Sequence, residues 1–122
     1  MIYLATPYSH PSSHIRQWRY EQAQALWWHF VLKGYAVYSP IVHTHPAAVK
    51  YEAPQGYEFY QHFDEQMISA AEEVWVCHIP GWQDSKGMAA EVQFAMQNGI
   101  FCKHIIEAPD ILEKYNLLQY AA

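Results

Sequence analysis

The sequence predicts a single α/β domain: a doubly wound parallel sheet of four to five strands, flavodoxin- or Rossmann-like, flanked by helices. Short apolar runs rich in β-branched and aromatic residues alternate four times with longer stretches of helical periodicity. That alternation is typical of parallel strands covered by helices on both faces. The chain has 122 residues, enough for one core and too few for two. We therefore expect residues 1–122 to form one domain.

Each predicted element has a local signal at one of its ends. The first strand leads into a loop rich in proline and serine. The helix after it stops at Gly34, and one of its sides carries Ile15, Trp18, Leu26 and Phe30. A long proline-rich loop is predicted over 40–56. The predicted strands are 2–5, 35–39, 73–79 and 100–106, and the predicted helices are 13–33, 57–72, 86–98 and 109–118.

The composition argues against two classes of partner. The net charge is -5 with only seven Lys plus Arg, and the sequence has no basic run. Neither nucleic acid nor an anionic membrane is therefore expected as a partner. Met1 leads directly into a strand, without a basic leader or a long apolar segment, so we expect a cytoplasmic protein. Cys77 and Cys102 are expected to be free thiols in that reducing compartment.

Several cofactor and catalytic motifs are missing from the sequence. No Gly-x-Gly-x-x-Gly follows the first strand, and no Gly-x-Ser-x-Gly occurs. His43 and His45 lie in the predicted proline-rich loop without a cysteine partner, which disfavours a metal site. His43 is then either a substrate contact or a plain loop residue. We predict no metal and no cofactor.

The carboxyl ends of the predicted strands indicate where a ligand would bind. Parallel strands end at one edge of the sheet, and open sheets of this type bind ligands there. Loops 6–13, 40–56 and 80–85 reach that edge and are rich in polar and aromatic residues. Asp84 or Ser85 can cap the helix that follows, its first N–H groups can bind an anion, and Gly87 permits close approach. The sequence thus predicts a small-molecule site.

Two carboxylates fall on apolar helix faces. Asp64 lies within the apolar face of the helix 57–72, and Glu91 lies at the edge of the stripe that contains Met88 and Val92. A carboxylate in such a place costs free energy unless it is paired or used. Glycosidic bond cleavage uses two carboxylates around one substrate. The alternatives are a hydrogen-bonded structural acid for Asp64 and a rim glutamate of an ordinary capped helix for Glu91.

Three features occur together in the sequence. In order, they are the first strand with its loop Thr6-Pro-Tyr-Ser9, then Asp64, and then Ser85-x-Gly87-x-x-x-Glu91. The combination resembles the nucleoside 2-deoxyribosyltransferase superfamily, which includes the 2'-deoxynucleoside 5'-monophosphate N-glycosidases. The Ile-Tyr-Leu-Ala-Thr-Pro-Tyr-Ser-His and Ser-Pro-Ile-Val-His-Thr-His stretches look closer still to a small bacterial and phage branch of it. The resemblance covers roughly residues 1–107.

The resemblance implies roles for individual residues. Glu91 would be the nucleophile on C1' of the sugar, and Asp64 would orient the sugar or the nucleophile and assist the base. Ser85 would bind a 5'-phosphate; transferases of free nucleosides tend to have an aspartate at its position, and here Asp84 lies one residue earlier. The predicted substrate-binding residues are Tyr8, Ser9, Tyr20, His43, Asp84, Ser85 and Gly87.

The expected function is hydrolysis of the base–sugar bond of a (2'-deoxy)nucleoside 5'-monophosphate. Base exchange by a deoxyribosyltransferase and nucleotide binding without turnover remain as alternatives. Trp28 and Val31 fall on the side of the first long helix opposite its core stripe. Because large apolar groups exposed together usually mark an interface, a homodimer or higher homo-oligomer is expected.

Overall fold

Four parallel strands form one sheet in the order β2-β1-β3-β4. The computed structural model describes residues 1–54 and 56–121. The strands are β1 (Ile2–Ala5), β2 (Val37–Tyr38), β3 (Glu73–Cys77) and β4 (Phe101–Ile105). The helices are α1 (Ser13–Leu32), α2 (Pro40–Lys50), α3 (Tyr57–Ser69), α4 (Lys86–Gln97) and α5 (Ala108–Lys114). The predicted α/β fold with a doubly wound parallel sheet is confirmed.

The two central strands explain the continuous apolar runs of the sequence. β1 lies between β2 and β3, with Leu4 in register with Trp75. Helices cover both faces of these strands, so successive residues are buried whichever way they point. β4 is an edge strand, and most of its residues are exposed or half-buried. The pattern of burial therefore follows the position of each strand in the sheet.

Alternate side chains of β1 and β3 enter two separate cores. Leu4 and Trp75 pack on the face that α1 and α5 cover. Tyr3 and Val74 pack on the opposite face, against side chains from α3 and α4. The same alternation places the hydroxyl of Tyr3 on the α3/α4 side of the sheet, which is important for the site described below.

The prediction of a loop over 40–56 is wrong for the first eleven residues, because Pro40–Lys50 form α2. Ser39 caps this helix, accepting a hydrogen bond of 3.1 Å from the Val42 amide. Pro40 occupies the first turn, where its missing N–H costs nothing and its fixed φ suits a helix. Pro46 lies inside the helix and removes one hydrogen-bond donor without ending it. The segment that remains outside regular structure is 51–54 and Gly56; residue 55 lies outside the described residues.

The core side of α1 also differs from the predicted stripe. Leu26 and Phe30 are buried as expected, whereas Ile15 is only half-buried. Gln22 is fully buried, and its amide donates to the Leu117 carbonyl over 3.0 Å. A polar residue reaches the core because the segment after α5 folds back onto α1 and supplies a hydrogen-bond partner. None of the helices in the described part of the chain is long and apolar enough to cross a bilayer.

Candidate active site

A cleft opens at the carboxyl ends of β1 and β3. At this point the strand order reverses, since the chain moves from β1 to β2 on one side and then to β3 on the other. The cleft encloses about 440 Å³ of empty space including its open mouth. The lining residues are Thr6, Tyr8, Ser9, Ile41, Gly56, Tyr57, Tyr60, Asp64, Ser85, Gly87, Met88 and Glu91.

Most of the predicted site residues converge on this cleft. α3 presents Asp64 and α4 presents Glu91. The β1–α1 connection contributes two of the remaining predicted residues and the start of α4 contributes two more. These four are Tyr8, Ser9, Ser85 and Gly87.

Three predicted substrate-binding residues do not line the cleft. Asp84 is exposed in a short 3₁₀ turn before α4. His43 is exposed on α2, with its Nδ1 3.1 Å from the Tyr38 hydroxyl. Tyr20 stacks on the ring of His45, with centroids 4.4 Å apart. Because α2 is a helix, His43 and His45 point to different sides, so the two rings do not face one site.

Glu91 is hydrogen-bonded to a residue of the sheet. Its side chain is buried, and the hydroxyl of the fully buried Tyr3 donates a hydrogen bond to its Oε2. Sequence reasoning missed Tyr3, which it treated only as part of an apolar strand. The available signal was its hydroxyl, because a buried tyrosine normally finds a hydrogen-bond partner.

Both carboxyl groups have raised pKa values. Burial raises the pKa of Glu91 to about 8, against the opposing effect of the Tyr3 hydrogen bond, and the nearby Asp64 raises it further. Burial raises the pKa of Asp64 to about 7. Burial and the two carboxylates raise the pKa of Tyr3 well above its usual value, so Tyr3 remains a donor. Both carboxyl groups therefore titrate near neutral pH.

Three polar atoms in the cleft are buried without a hydrogen-bond partner in the described part of the chain. They are Thr6 Oγ1, Tyr57 Oη and Asp64 Oδ1. Buried polar groups in folded proteins are nearly always hydrogen-bonded. Two hydroxyls and a carboxyl oxygen, unpaired in one cleft, are suited to a ligand with several hydroxyl groups.

A buried histidine fixes the position of Tyr8. The Tyr8 hydroxyl lies 2.7 Å from Nδ1 of His45, and Nε2 of the same ring lies 2.9 Å from Oε1 of Gln17. Since an amide oxygen only accepts, Nε2 carries the proton and Nδ1 accepts from Tyr8. Burial lowers the pKa of His45, which favours this neutral ring. Tyr20 therefore packs on the histidine that positions Tyr8 and does not itself line the cleft.

The start of α4 confirms Ser85 as the cap, one of the two predicted, but leaves fewer free amides than expected. Ser85 is the N-cap, and its Oγ accepts from the Met88 amide over 3.1 Å. Because this bond uses the Met88 amide, the first N–H groups that are left for an anion are those of residues 86 and 87. The hydroxyl proton of Ser85 remains available to a ligand. A Cβ at Gly87 would contact the Tyr57 ring at 3.7 Å, so glycine keeps this side of the cleft open.

Arg19 lies behind the rim of the cleft and was not predicted. Its Nη1 donates to the Ser9 carbonyl over 2.7 Å. Gly81 has φ +93°, and a Cβ there would come within 2.6 Å of the guanidinium. Arg19 thus joins the loop after β1 to the loop after β3. Its Nε is buried without a hydrogen-bond partner in the described residues, and burial lowers its pKa.

The fold and the cleft define an α/β domain with a parallel sheet and a two-carboxyl ligand cleft at the point where the strand order reverses. The chain belongs to the family described as Domain of unknown function (DUF1937), whose model matches residues 1–104. The match includes every residue of the cleft lining. A search of curated proteins finds no match.

The raised pKa of Glu91 predicts how stability depends on pH. Below the pKa of an unfolded glutamate, both states are protonated and the group costs nothing. As pH rises toward about 8, the unfolded state ionises while folded Glu91 keeps its proton. The wild type should therefore lose stability relative to Glu91→Gln, by at most about 1.4 kcal/mol per pH unit between about pH 5 and pH 8. Urea unfolding of both proteins across this range measures the difference.

The matched control is Glu113→Gln, which removes an exposed glutamate of α5. Its stability relative to the wild type should stay constant over the same pH range. A constant difference between the wild type and Glu91→Gln would show that the buried carboxyl titrates normally.

Proposed function

We propose that this domain hydrolyses the base–sugar bond of a (2'-deoxy)nucleoside 5'-monophosphate. The observation that carries the proposal is the pair of buried carboxyl groups, Glu91 and Asp64, which two helices present to one cleft. Enzymes that cleave glycosidic bonds usually place two carboxyl groups around the bond. The resemblance of the motifs to the nucleoside 2-deoxyribosyltransferase superfamily supports the same reading.

In the proposed reaction, the Glu91 carboxylate forms a bond to C1' as the C–N bond to the base breaks. The bonding electron pair leaves with the base, and Asp64 donates the proton that the base takes up. The product is a glycosyl ester on Glu91. The Asp64 carboxylate then takes a proton from water, and the water oxygen attacks C1' and releases Glu91. Two inversions at C1' give net retention.

Three observations support these roles. Tyr3 binds Oε2 of Glu91, which leaves Oε1 to attack and favours the ionised form. Burial brings the pKa of Asp64 to about 7, where a carboxyl group can both donate and accept a proton near neutral pH. The hydroxyls of Thr6 and Tyr57 are free of protein partners within the described residues and can bind the sugar.

The start of α4 is the proposed phosphate site. Ser85 can donate its hydroxyl proton, and the amides of residues 86 and 87 lie at the positive end of the helix dipole. Asp84 would oppose a phosphate, but its exposed side chain does not line the cleft. Arg19 adds a positive charge behind the Ser9 rim.

One observation favours nucleotide binding without turnover as a second candidate. With its pKa raised by burial to about 8, Glu91 is mostly protonated in the free protein at pH 7 and is then not a nucleophile. A nucleotide sensor would have no need of the ionised form. Base exchange remains a third reading of the same site, since a second base could replace water at C1'.

Incubation with a panel of ribo- and deoxyribonucleoside monophosphates tests the enzyme directly. Chromatography should detect free base, and release should fall by at least about a hundredfold in Glu91→Ala, because the nucleophile is lost. Glu113→Gln should keep full activity. Binding of a nucleotide with no base release at any pH from 6 to 9 would establish the sensor instead. An exchanged nucleotide on addition of a second free base would identify a transferase.

Ser85 provides a test of the phosphate site. Ser85→Asp keeps an oxygen to cap α4 but places a negative charge beside the proposed phosphate. We expect nucleotide affinity to fall by about 1–3 kcal/mol while nucleoside affinity changes little. Ser85→Ala is less suitable, because loss of the cap costs about 0.5–2 kcal/mol of stability. Calorimetric titration with a nucleotide and its nucleoside measures both. An equal loss for the two ligands would remove the phosphate assignment.

We also propose that the protein forms a homo-oligomer through the outer side of α1. Trp28 is 47% exposed and Leu32, one turn further, is 63% exposed, whereas Val31 is half-buried. Exposed apolar side chains of this size on one helix side are typical of an interface. A second subunit on this surface would remove both from water.

Light scattering at micromolar concentration should detect a species larger than one chain. Trp28→Glu should shift it toward the monomer, because a charge would be buried in the interface. Tyr51→Glu is the control, since it changes an aromatic residue that is 71% exposed at the end of α2. A monomeric wild type, or equal behaviour of the two variants, would contradict this use of Trp28.

A further inference from the structure

A second concavity lies on the opposite face of the sheet from the cleft. Its floor includes Trp75 and Ile105, which belong to the core under α1 and α5. It encloses about 700 Å³ of empty space including its mouth. We call it the lysine hollow. Its lining residues are His29, Phe30, Lys33, Tyr35, Trp75, Lys103, Ile105, Glu107, Asp110, Ile111 and Lys114.

The hollow concentrates positive charge in an acidic protein. The chain has a net charge of -5 and five lysines, and three of these, Lys33, Lys103 and Lys114, line the hollow. None of the three forms an ion pair with a carboxylate in the part of the chain that the structure describes. Glu107 and Asp110 also line the hollow, so the ammonium groups outnumber the carboxylates by one. A single negative charge would balance the excess.

Two of these lysines lower the pKa of His29. Burial lowers the pKa of this histidine, and the charges of Lys33 and Lys114 lower it further. His29 is therefore neutral at pH 7 and adds nothing to the charge of the hollow.

An exposed aromatic ring stands beside these ammonium groups. Tyr35 is 46% exposed, and its ring packs edge-on against Trp75 with centroids 5.0 Å apart. Phe30 supports both rings from the core. Lys103 Nζ lies 5.0 Å from the Trp75 ring centroid, which holds its charge at the floor. Tyr35 thus provides a fixed apolar surface, and both it and the ammonium group of Lys103 contact the Trp75 ring.

We propose that the lysine hollow binds a small aromatic anion, with its ring against Tyr35 and its negative group among the three lysines. Aromatic rings pack well on a partly exposed tyrosine, and the chain places its uncompensated ammonium groups within the same concavity. The hollow shares no lining residue with the cleft, so this proposal does not depend on the proposed hydrolysis.

The test uses two fluorescent probes that share an aromatic system. 8-Anilinonaphthalene-1-sulfonate carries one negative charge, and N-phenyl-1-naphthylamine is its neutral counterpart. We expect the sulfonate to bind at least about tenfold more tightly. Lys33→Met and Lys103→Met should each weaken the sulfonate about three- to fivefold, with a smaller loss in high salt. Lys50→Met is the matched control, because Lys50 also lies over an aromatic ring, 5.4 Å from the centroid of Tyr51.

Three results would overturn the proposal. The first is equal binding of the neutral probe, and the second is an unchanged sulfonate affinity in both hollow variants. The third is a loss of sulfonate affinity in the cleft variant Ser85→Asp as large as that in the hollow variants, which would place the dye in the cleft. Circular dichroism confirms that each variant is folded, and methionine keeps the aliphatic packing of each lysine.

Discussion

The hydrogen bond from Tyr3 to Glu91 links the centre of the sheet to a candidate catalytic carboxyl group. Tyr3 lies in β1, which has a paired strand on each side, so its backbone is fixed by the whole sheet. Glu91 lies in α4 on the face that packs against this sheet. Loss of the hydroxyl would leave a buried carboxyl group unpaired at one oxygen, which is costly. This contact therefore fixes the carboxyl oxygen, while the packing of Met88 and Ala95 on the same face of the sheet positions the helix.

The arrangement of the cleft follows from the path of the chain. After β2 the chain crosses to the other side of β1, and the gap between the loops after β1 and β3 is left open. α3 and α4 both cover the face of the sheet that contains Tyr3. A carboxylate on the apolar side of either helix must then be buried close to this gap. The topology thus explains why Asp64 and Glu91 share one site and why burial raises both pKa values.

Periodicity could locate the carboxyl groups but not their partners. Asp64 and Glu91 stand out because a charged residue on an apolar helix face breaks a pattern. Tyr3 does not stand out, because a tyrosine fits an apolar strand and its hydroxyl becomes informative only once Glu91 is placed opposite. His45 was considered only as a metal ligand, because the prolines of 40–56 led to a loop prediction for the segment that forms α2. Local sequence does not show whether a proline interrupts a helix or merely removes one donor.

The charges of the cleft place a constraint on any anionic ligand. The residues that line it include two carboxylic acids and, within the described chain, no lysine, arginine or histidine. If both acids were ionised, a phosphate would be repelled at short range. Burial prevents this by keeping the pair at least partly protonated near neutral pH. Neutral donors such as Ser85 can then bind the anion, with Arg19 behind the rim. The proposed hydrolysis requires Glu91 to be ionised once the anion has bound, so the protonation of this pair is what separates the proposed cleavage from the proposed binding without turnover.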